Sequence, residues 1–301
     1  MRQVNASKSW LQRQRPDVWP FLLPALFFYG IFVLYPIINA LVLSFFNWDG
    51  ISPNRTFVGL SNYAFVLTED RVFWTSLRNS ATWTGLSLLV PTTLGLVLAV
   101  ALNLPLVGRA VIRTAIYLPA VLATVIVATM WSWMYNPTLG LVNATLESLG
   151  LADWIQDWLG SERVVLFSVF VASVWQVTGT NMLLFLAGVQ RIDQELIEAA
   201  KVDGADDLRV FWFVTLPGLR QTFIVVISLT IINALKVFDL VYAMTYGGPG
   251  QASQVLASWS YFQAFNFHNF GIGTSIAMIL FAITLLIIVP YIRWMAREDE
   301  K

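Results

Sequence analysis

The chain is 301 residues long, 57% hydrophobic and only 12% charged, a balance that leaves too little polar surface for a soluble domain of this size. Lysine plus arginine equals aspartate plus glutamate at 18 each, so no basic excess points to nucleic acid and no acidic tail to a solvating region. Cysteine is absent, which excludes disulfides, thiol nucleophiles and thiolate metal sites.

A helix must carry about 20 consecutive apolar residues to cross a hydrocarbon core about 30 Å thick, because lipid satisfies no backbone polar group. Six stretches meet that requirement, at residues 19–46, 80–103, 112–135, 164–190, 221–242 and 273–294. The expected fold is therefore an all-α integral membrane protein with six transmembrane helices. Arg2, Lys8, Arg13 and Arg15 precede the first stretch, as in a signal peptide. Its apolar run is too long for a signal-peptide core and no small-residue cleavage site follows, so it reads as a retained helix.

Cytoplasmic loops collect Lys and Arg. With the N-terminus inside, thirteen basic residues fall on the cytoplasmic side, among them Arg109, Arg113, Arg191, Lys201, Arg209, Arg220 and Arg293. Only Arg55, Arg71, Arg78 and Arg163 fall outside, and both termini are expected in the cytoplasm. Trp19, Trp48, Trp131, Trp133, Trp259 and Trp294 all sit near expected span ends, the level that amphipathic rings prefer, although any one of them serves equally well in a packed core.

The loop between the fourth and fifth stretches, residues 191–217, reads as a short helix with its own ends. Asp193 can cap it, Glu195 suits the positive end of its dipole, and Gly204 can stop it before a second helical piece runs to Pro217. Ala199, Ala200, Gly204 and Ala205 give a surface of little bulk, flanked by the charges of Glu198, Lys201 and Asp203. Such a helix can enter a partner's groove closely, or it can be a plain connector made of good helix formers.

In the fifth stretch, Lys236 and Asp239 stand three residues apart. A lysine at the centre of a span is unfavourable by about 2.5 to 3.5 kcal/mol, so Lys236 must snorkel, pair with Asp239 or face an aqueous cavity. Thr230, Asn233, Ala234 and Val237 share one helical face, with Lys236 at its edge. Further on, Gly247-Gly248-Pro249-Gly250 has no basic residue after it and reads as an outer turn, and the lone His268 as a loop or interfacial residue rather than a metal ligand. No lysine follows a glycine, so the chain has no phosphate-binding loop, and spans two, three, four and six contain no carboxylate for ion coupling.

Glu198-Ala199-Ala200, with Gly204 beyond it and Leu216-Pro217 after that, resembles the "EAA" signature of bacterial ABC-importer permeases in residue type, spacing and position after a span. Leu34-Tyr35-Pro36, Trp48-Asp49-Gly50, Asn62-Tyr63, the stretch from Phe185 to Gln190, Lys236-Val237-Phe238-Asp239 and Gly247-Gly248-Pro249 extend the resemblance over most of the chain, toward the maltose-type sugar branch. Asp193 stands where many relatives have proline, which implies only a changed helix start.

The resemblance implies a type I ABC importer permease fold with its core at about residues 72–292. Residues 1–71 would supply the N-terminus, a first helix that wraps a neighbour, and an outer loop; residues 293–301 would form a cytoplasmic tail. Glu198, Ala199, Ala200, Asp203, Gly204, Leu216 and Pro217 would belong to a coupling helix that docks on a separate ATPase dimer, where ATP and Mg would bind; no cofactor and no catalytic residue is expected on this chain. The implied partners are a second homologous permease, an extracytoplasmic solute-binding protein, a sugar substrate and membrane lipid, in a bacterial cytoplasmic (inner) membrane. Related permeases line their sugar site from spans four and five, which makes Ser173, Thr230, Asn233 and Lys236 the substrate-pathway candidates here. The rival expectations are a glycerol-3-phosphate permease, an ion-coupled secondary carrier and a purely structural membrane subunit.

Overall fold

The structure, a computed structural model, describes residues 19–298, with side chains over residues 20–295. Arg2, Lys8, Arg13, Arg15 and Lys301 lie outside the described residues. Four helices are long and apolar enough to cross a membrane, and two bent helix pairs bring the number of spans to six if each pair is one span.

The first span, α1 (Pro20–Leu43), has none of its most apolar window buried within the chain. Only its second half packs against the last helix, and Phe21, Phe32 and Tyr35 stand exposed. An antiparallel hairpin follows, β1 (Phe46–Asn47) with β2 (Thr56–Phe57). Within its loop the Asp49 carboxylate accepts from the backbone N–H groups of Ile51 and Ser52, which hold its carboxyl below the usual carboxylate range. The hairpin is tied to the end of α1 from helix α2 (Ser61–Thr68), where the Asn62 amide donates to the carbonyls of Ser44 and Phe46 and Tyr63 bonds Ser44.

The second span is longer than the expected 80–103. Helix α3 (Arg71–Asn103) begins where the Asp70 side chain accepts from the backbone N–H groups of Val72 and Phe73, so the apolar run is preceded by an amphipathic outer extension. The third span is not the continuous helix expected over 112–135. Helix α4 (Arg109–Val121) and helix α5 (Thr124–Met134) meet at 99°, with Leu122 and Ala123 extended between them. Pro119 withholds one backbone donor near the break, and the carbonyl of Leu122, in the extended link, accepts from Gln176 of the fourth span.

After a short helix, α6 (Leu141–Ser148), the fourth span α7 (Val165–Val189) matches the expected 164–190 to within a residue. Helices α8 (Gln194–Val202) and α9 (Asp207–Gly218) follow, and α9 turns by 67° into α10 (Arg220–Leu235). The fifth span then breaks at Lys236, six residues before the expected end at Tyr242, and resumes as α11 (Asp239–Thr245). Outside it, Gly247–Gly250 forms the expected turn, with Gly247 and Gly250 both at positive φ.

The next segment, in which the sequence suggests no further helix, contains helix α12 (Leu256–Tyr261), which buries Leu256 and Trp259 before the last helix α13 (Phe270–Glu298). A polar seam fixes α12 to α3. Asn79 donates to the carbonyls of Ala252 and Gln254, Ser80 Oγ accepts from Leu256 N–H, and Trp259 Nε1 donates to Asp70 Oδ2 at 2.7 Å. Trp259 is therefore a core residue rather than an interfacial one, whereas Trp133 and Trp294 remain exposed near span ends.

Lipid tails are as apolar as leucine, so helix association here rests on close packing rather than on transfer from water. Small residues supply that closeness. A Cβ on Gly95 of α3 would lie 2.6 Å from Asn181 Cβ on α7, and one on Gly179 of α7 would lie 2.4 Å from the Ile116 carbonyl on α4. Above that crossing Trp83 packs edge-on against Phe170, ring centroids 5.2 Å apart, in a cluster with Val127, Val169 and Val241. The α3–α7 pair is thus the axis of the molecule, with α10 beside it.

Candidate functional site

Two places gather the candidate residues. In the segment between the fourth and fifth spans, Asp193 Oδ1 accepts from Glu195 N–H and caps the start of α8. Lys201 occupies the last turn, where a cation suits the helix dipole, and its Nζ lies 3.1 Å from Asp207 on the next helix. Gly204 takes a left-handed φ of +84°, and a Cβ built there would meet nothing within 4 Å. Asp206 caps α9 by accepting from Arg209 N–H.

No residue of α8 is buried in the chain. Glu198 and Ala199 are exposed, Asp203 and Gly204 beside them likewise, and Leu196, Val202, Leu208 and Phe213 present apolar side chains without cover. Leu216 is half-buried and Pro217 exposed at the bend into α10, where Ile192 packs beneath Gly218. This helix thus has defined ends and no buried residue.

The second place is a cavity of about 180 Å³ between α3, α7 and α10. From α3 it receives Trp83, Ser87 and Pro91; from α7, Ser173, Val177, Thr180, Asn181 and Leu184; from α10, Leu229, Thr230, Asn233 and Ala234. Ser173, Thr230 and Asn233, chosen from sequence, are thus brought together. Lys236 is not among the lining residues, because α10 ends there and the chain turns away through Val237 and Phe238. The same break takes Val237 off the expected face and separates Lys236 from Asp239, and both side chains are exposed without an ion pair between them.

Among the described residues, the side chains of Ser87, Ser173, Thr180, Asn181, Thr230 and Asn233 form no hydrogen bond to the protein, although Thr84 and Thr178 nearby bond back to their own helices. Asn181 is 8% exposed, and a buried amide without partners is unfavourable by roughly 1–3 kcal/mol unless a solute or water takes its bonds. The lining thus offers six uncommitted polar side chains and no charge. Ser87, Thr180 and Asn181 escape a reading of the fifth span alone. For Thr180 and Asn181 the signal is the polar run Gln176, Thr178, Thr180, Asn181 in the fourth span, whereas Ser87 of the second span, flanked by Leu86 and Leu88, carries no such signal.

Residues 91–295 match the model of the binding-protein-dependent transport system inner membrane component family. The chain is 34% identical over 292 residues to a probable ABC transporter permease protein of Pyrococcus horikoshii, a match covering 96% of this chain and 100% of the relative. It is 36% identical over 272 residues to the trehalose/maltose transport system permease protein MalF of Thermococcus litoralis, covering 90% of this chain and 91% of that one. Among solved structures, a chain of the bacterial alginate ABC transporter in complex with alginate pentasaccharide-bound periplasmic protein superposes with a TM-score of 0.82 at 23% identity, over 94% of this chain and 95% of the other. That likeness establishes the shared fold.

Proposed function

Since the chain belongs to the binding-protein-dependent transport system inner membrane component family and is a permease subunit of an importer, we propose that the solute it passes is a neutral, hydroxyl-rich sugar. The observation that carries this reading is the central cavity, with six polar side chains uncommitted and no charged residue in its lining. Sugar hydroxyls donate and accept at once, so hydroxyls and amides can replace their hydration without a counter-ion. A phosphate-bearing solute such as glycerol-3-phosphate would call for cationic groups, and Lys236, the one cation of the fifth span, stands outside the cavity. The relative named for trehalose and maltose supports the same substrate class.

The rest of the reading follows from the family and the shape of the surface. The core at about residues 72–292 works beside a second homologous permease and receives solute from an extracytoplasmic binding protein. An ATPase dimer, which holds ATP and Mg, docks against Glu198, Ala199, Ala200, Asp203 and Gly204, with Leu216 and Pro217 at the hinge into α10. That no residue of α8 is buried within the chain supports that docking. The assembly sits in the bacterial inner membrane with both termini in the cytoplasm.

The test is uptake by the complete transporter in proteoliposomes, offered labelled trehalose, maltose or glycerol-3-phosphate with the cognate binding protein. Saturable, ATP-dependent uptake of a neutral sugar is expected. Preference for the phosphate ester would overturn the neutral-sugar assignment.

A further inference from the structure

The central cavity does not end at α10. Leu184 of α7 lines it and also lines a second cavity, of about 450 Å³, that lies toward the cytoplasmic end. Along α7 the lining positions are 173, 177, 180, 181 and 184 for the first cavity and 184, 187 and 188 for the second, which fall on one side of the helix, and Arg191 follows just past its end. Along α10, Gln221, Thr222 and Val225 line the inner cavity and Leu229, Thr230 and Asn233 the central one. The outer end is different. Trp83 is 2% exposed and packed edge-on against Phe170, so the α3–α7 pair is closed above the cavity.

We propose that the α7–α10 groove is the exit half of the pathway on this chain, with Leu184 as its threshold. This rests on the reading of the central cavity as the sugar site. Leu184 is the residue that lines both cavities, with the polar groups of Thr180 and Asn181 on one side of it and those of Arg191, Gln221 and Thr222 on the other. A single apolar constriction between wet compartments holds back solute by steric contact and by loss of water, and yields to a small separation of its walls. Ala187 and Gly218 contribute little side-chain bulk to the inner compartment, whose volume is about 450 Å³. The groove ends at Arg191, two residues before the Asp193 cap of α8, so displacement of the cytoplasmic segment acts directly on its mouth.

The chain contains no cysteine, so single cysteines report without background from it. In inverted membrane vesicles holding the complete transporter, Ala187→Cys and Thr222→Cys are expected to react with a charged, membrane-impermeant methanethiosulfonate. Asn233→Cys is expected to react more slowly through the threshold. Adding Leu184→Trp should slow the Asn233→Cys reaction at least tenfold and leave that at Ala187→Cys unchanged, while Leu184→Ala should speed it. If Ala187→Cys and Thr222→Cys react only with lipid-permeant N-ethylmaleimide while Asn233→Cys still takes the charged reagent, the exit route is wrong and the central site stands. An Asn233→Cys unreactive from either face of the membrane would remove the central site and the route with it. Equal rates in the Leu184 variants would show that Leu184 is no threshold.

Discussion

Thr230 and Asn233 sit three residues apart on α10 and turn toward Asn181 and Thr180 of α7, and each can give or take bonds that the protein leaves open. Replacing Thr230 or Asn233 with leucine, or Asn181 with alanine, removes hydrogen-bonding groups worth about 0.5 to 1.5 kcal/mol net each. Sugar uptake and sugar-stimulated ATP hydrolysis should each fall roughly 2- to 10-fold, with subunit stoichiometry unchanged in the purified complex. Asn181→Ala keeps the Cβ beside Gly95, so the α3–α7 crossing is preserved. Intact assembly with unchanged stimulation in all three variants would place the sugar site elsewhere. Gly204 is the complementary case at the cytoplasmic end. Asp tolerates a left-handed backbone better than most residues, and a side chain here meets nothing in its own chain. Gly204→Asp should therefore leave thermal stability nearly unchanged and lower coupled uptake, the deficit arising at the partner. Wild-type uptake would remove the reason to place an ATPase against this turn.

At the scale of elements, Asp70 joins a helix start to a distant loop. Its carboxylate serves Val72 N–H, Phe73 N–H and the Trp259 indole, the first partly buried and the other two buried. Asp70→Ala leaves three donors unpaired, each unfavourable by about 1–3 kcal/mol, whereas Asp70→Asn keeps an acceptor for the cap. The alanine variant should unfold in detergent several degrees below the asparagine variant, and Trp259→Phe should fall between asparagine and alanine. Identical melting curves for the alanine variant and wild type would show that the seam between α3 and α12 carries no stability. This seam also shows where sequence reading stops. The apolar runs betray each span, and Asp193 and Gly204 mark the ends of α8 by local chemistry alone. The break between α4 and α5 depends on Gln176, 54 residues away, and α12 depends on Asn79 and Ser80, more than 170 residues away. No window along the chain contains both partners. The stop at Lys236 had a local sign in its unfavourable charge, yet a helical wheel presumes the continuity that the break removes.

For the whole molecule the open question is the number of crossings, since α4 and α5 meet at 99° and such a pair can span the membrane or return to the side it left. The charge distribution separates the two cases. If the pair returned, α7 would run from inside to outside, and Arg191, Lys201, Arg209 and Arg220 would all stand in an outer loop against the bias of short loops toward cytoplasmic Lys and Arg. The exposed α8 would then face away from any cytoplasmic ATPase. If the pair crosses, those residues join Arg109, Arg113 and Arg293 inside, while Arg55, Arg71, Arg78 and Arg163 remain outside. Reporter fusions decide between them. A fusion after Arg71 would follow directly on the Asp70 cap, so the first outer loop is better probed after Pro53, in the exposed hairpin turn. Reporters after Arg109 and Arg209 should be cytoplasmic, and those after Pro53, Ser161 and Gln251 outside. A cytoplasmic signal at Ser161 would make α4 and α5 a re-entrant loop, and a cytoplasmic signal at Gln251 would end the six-span arrangement.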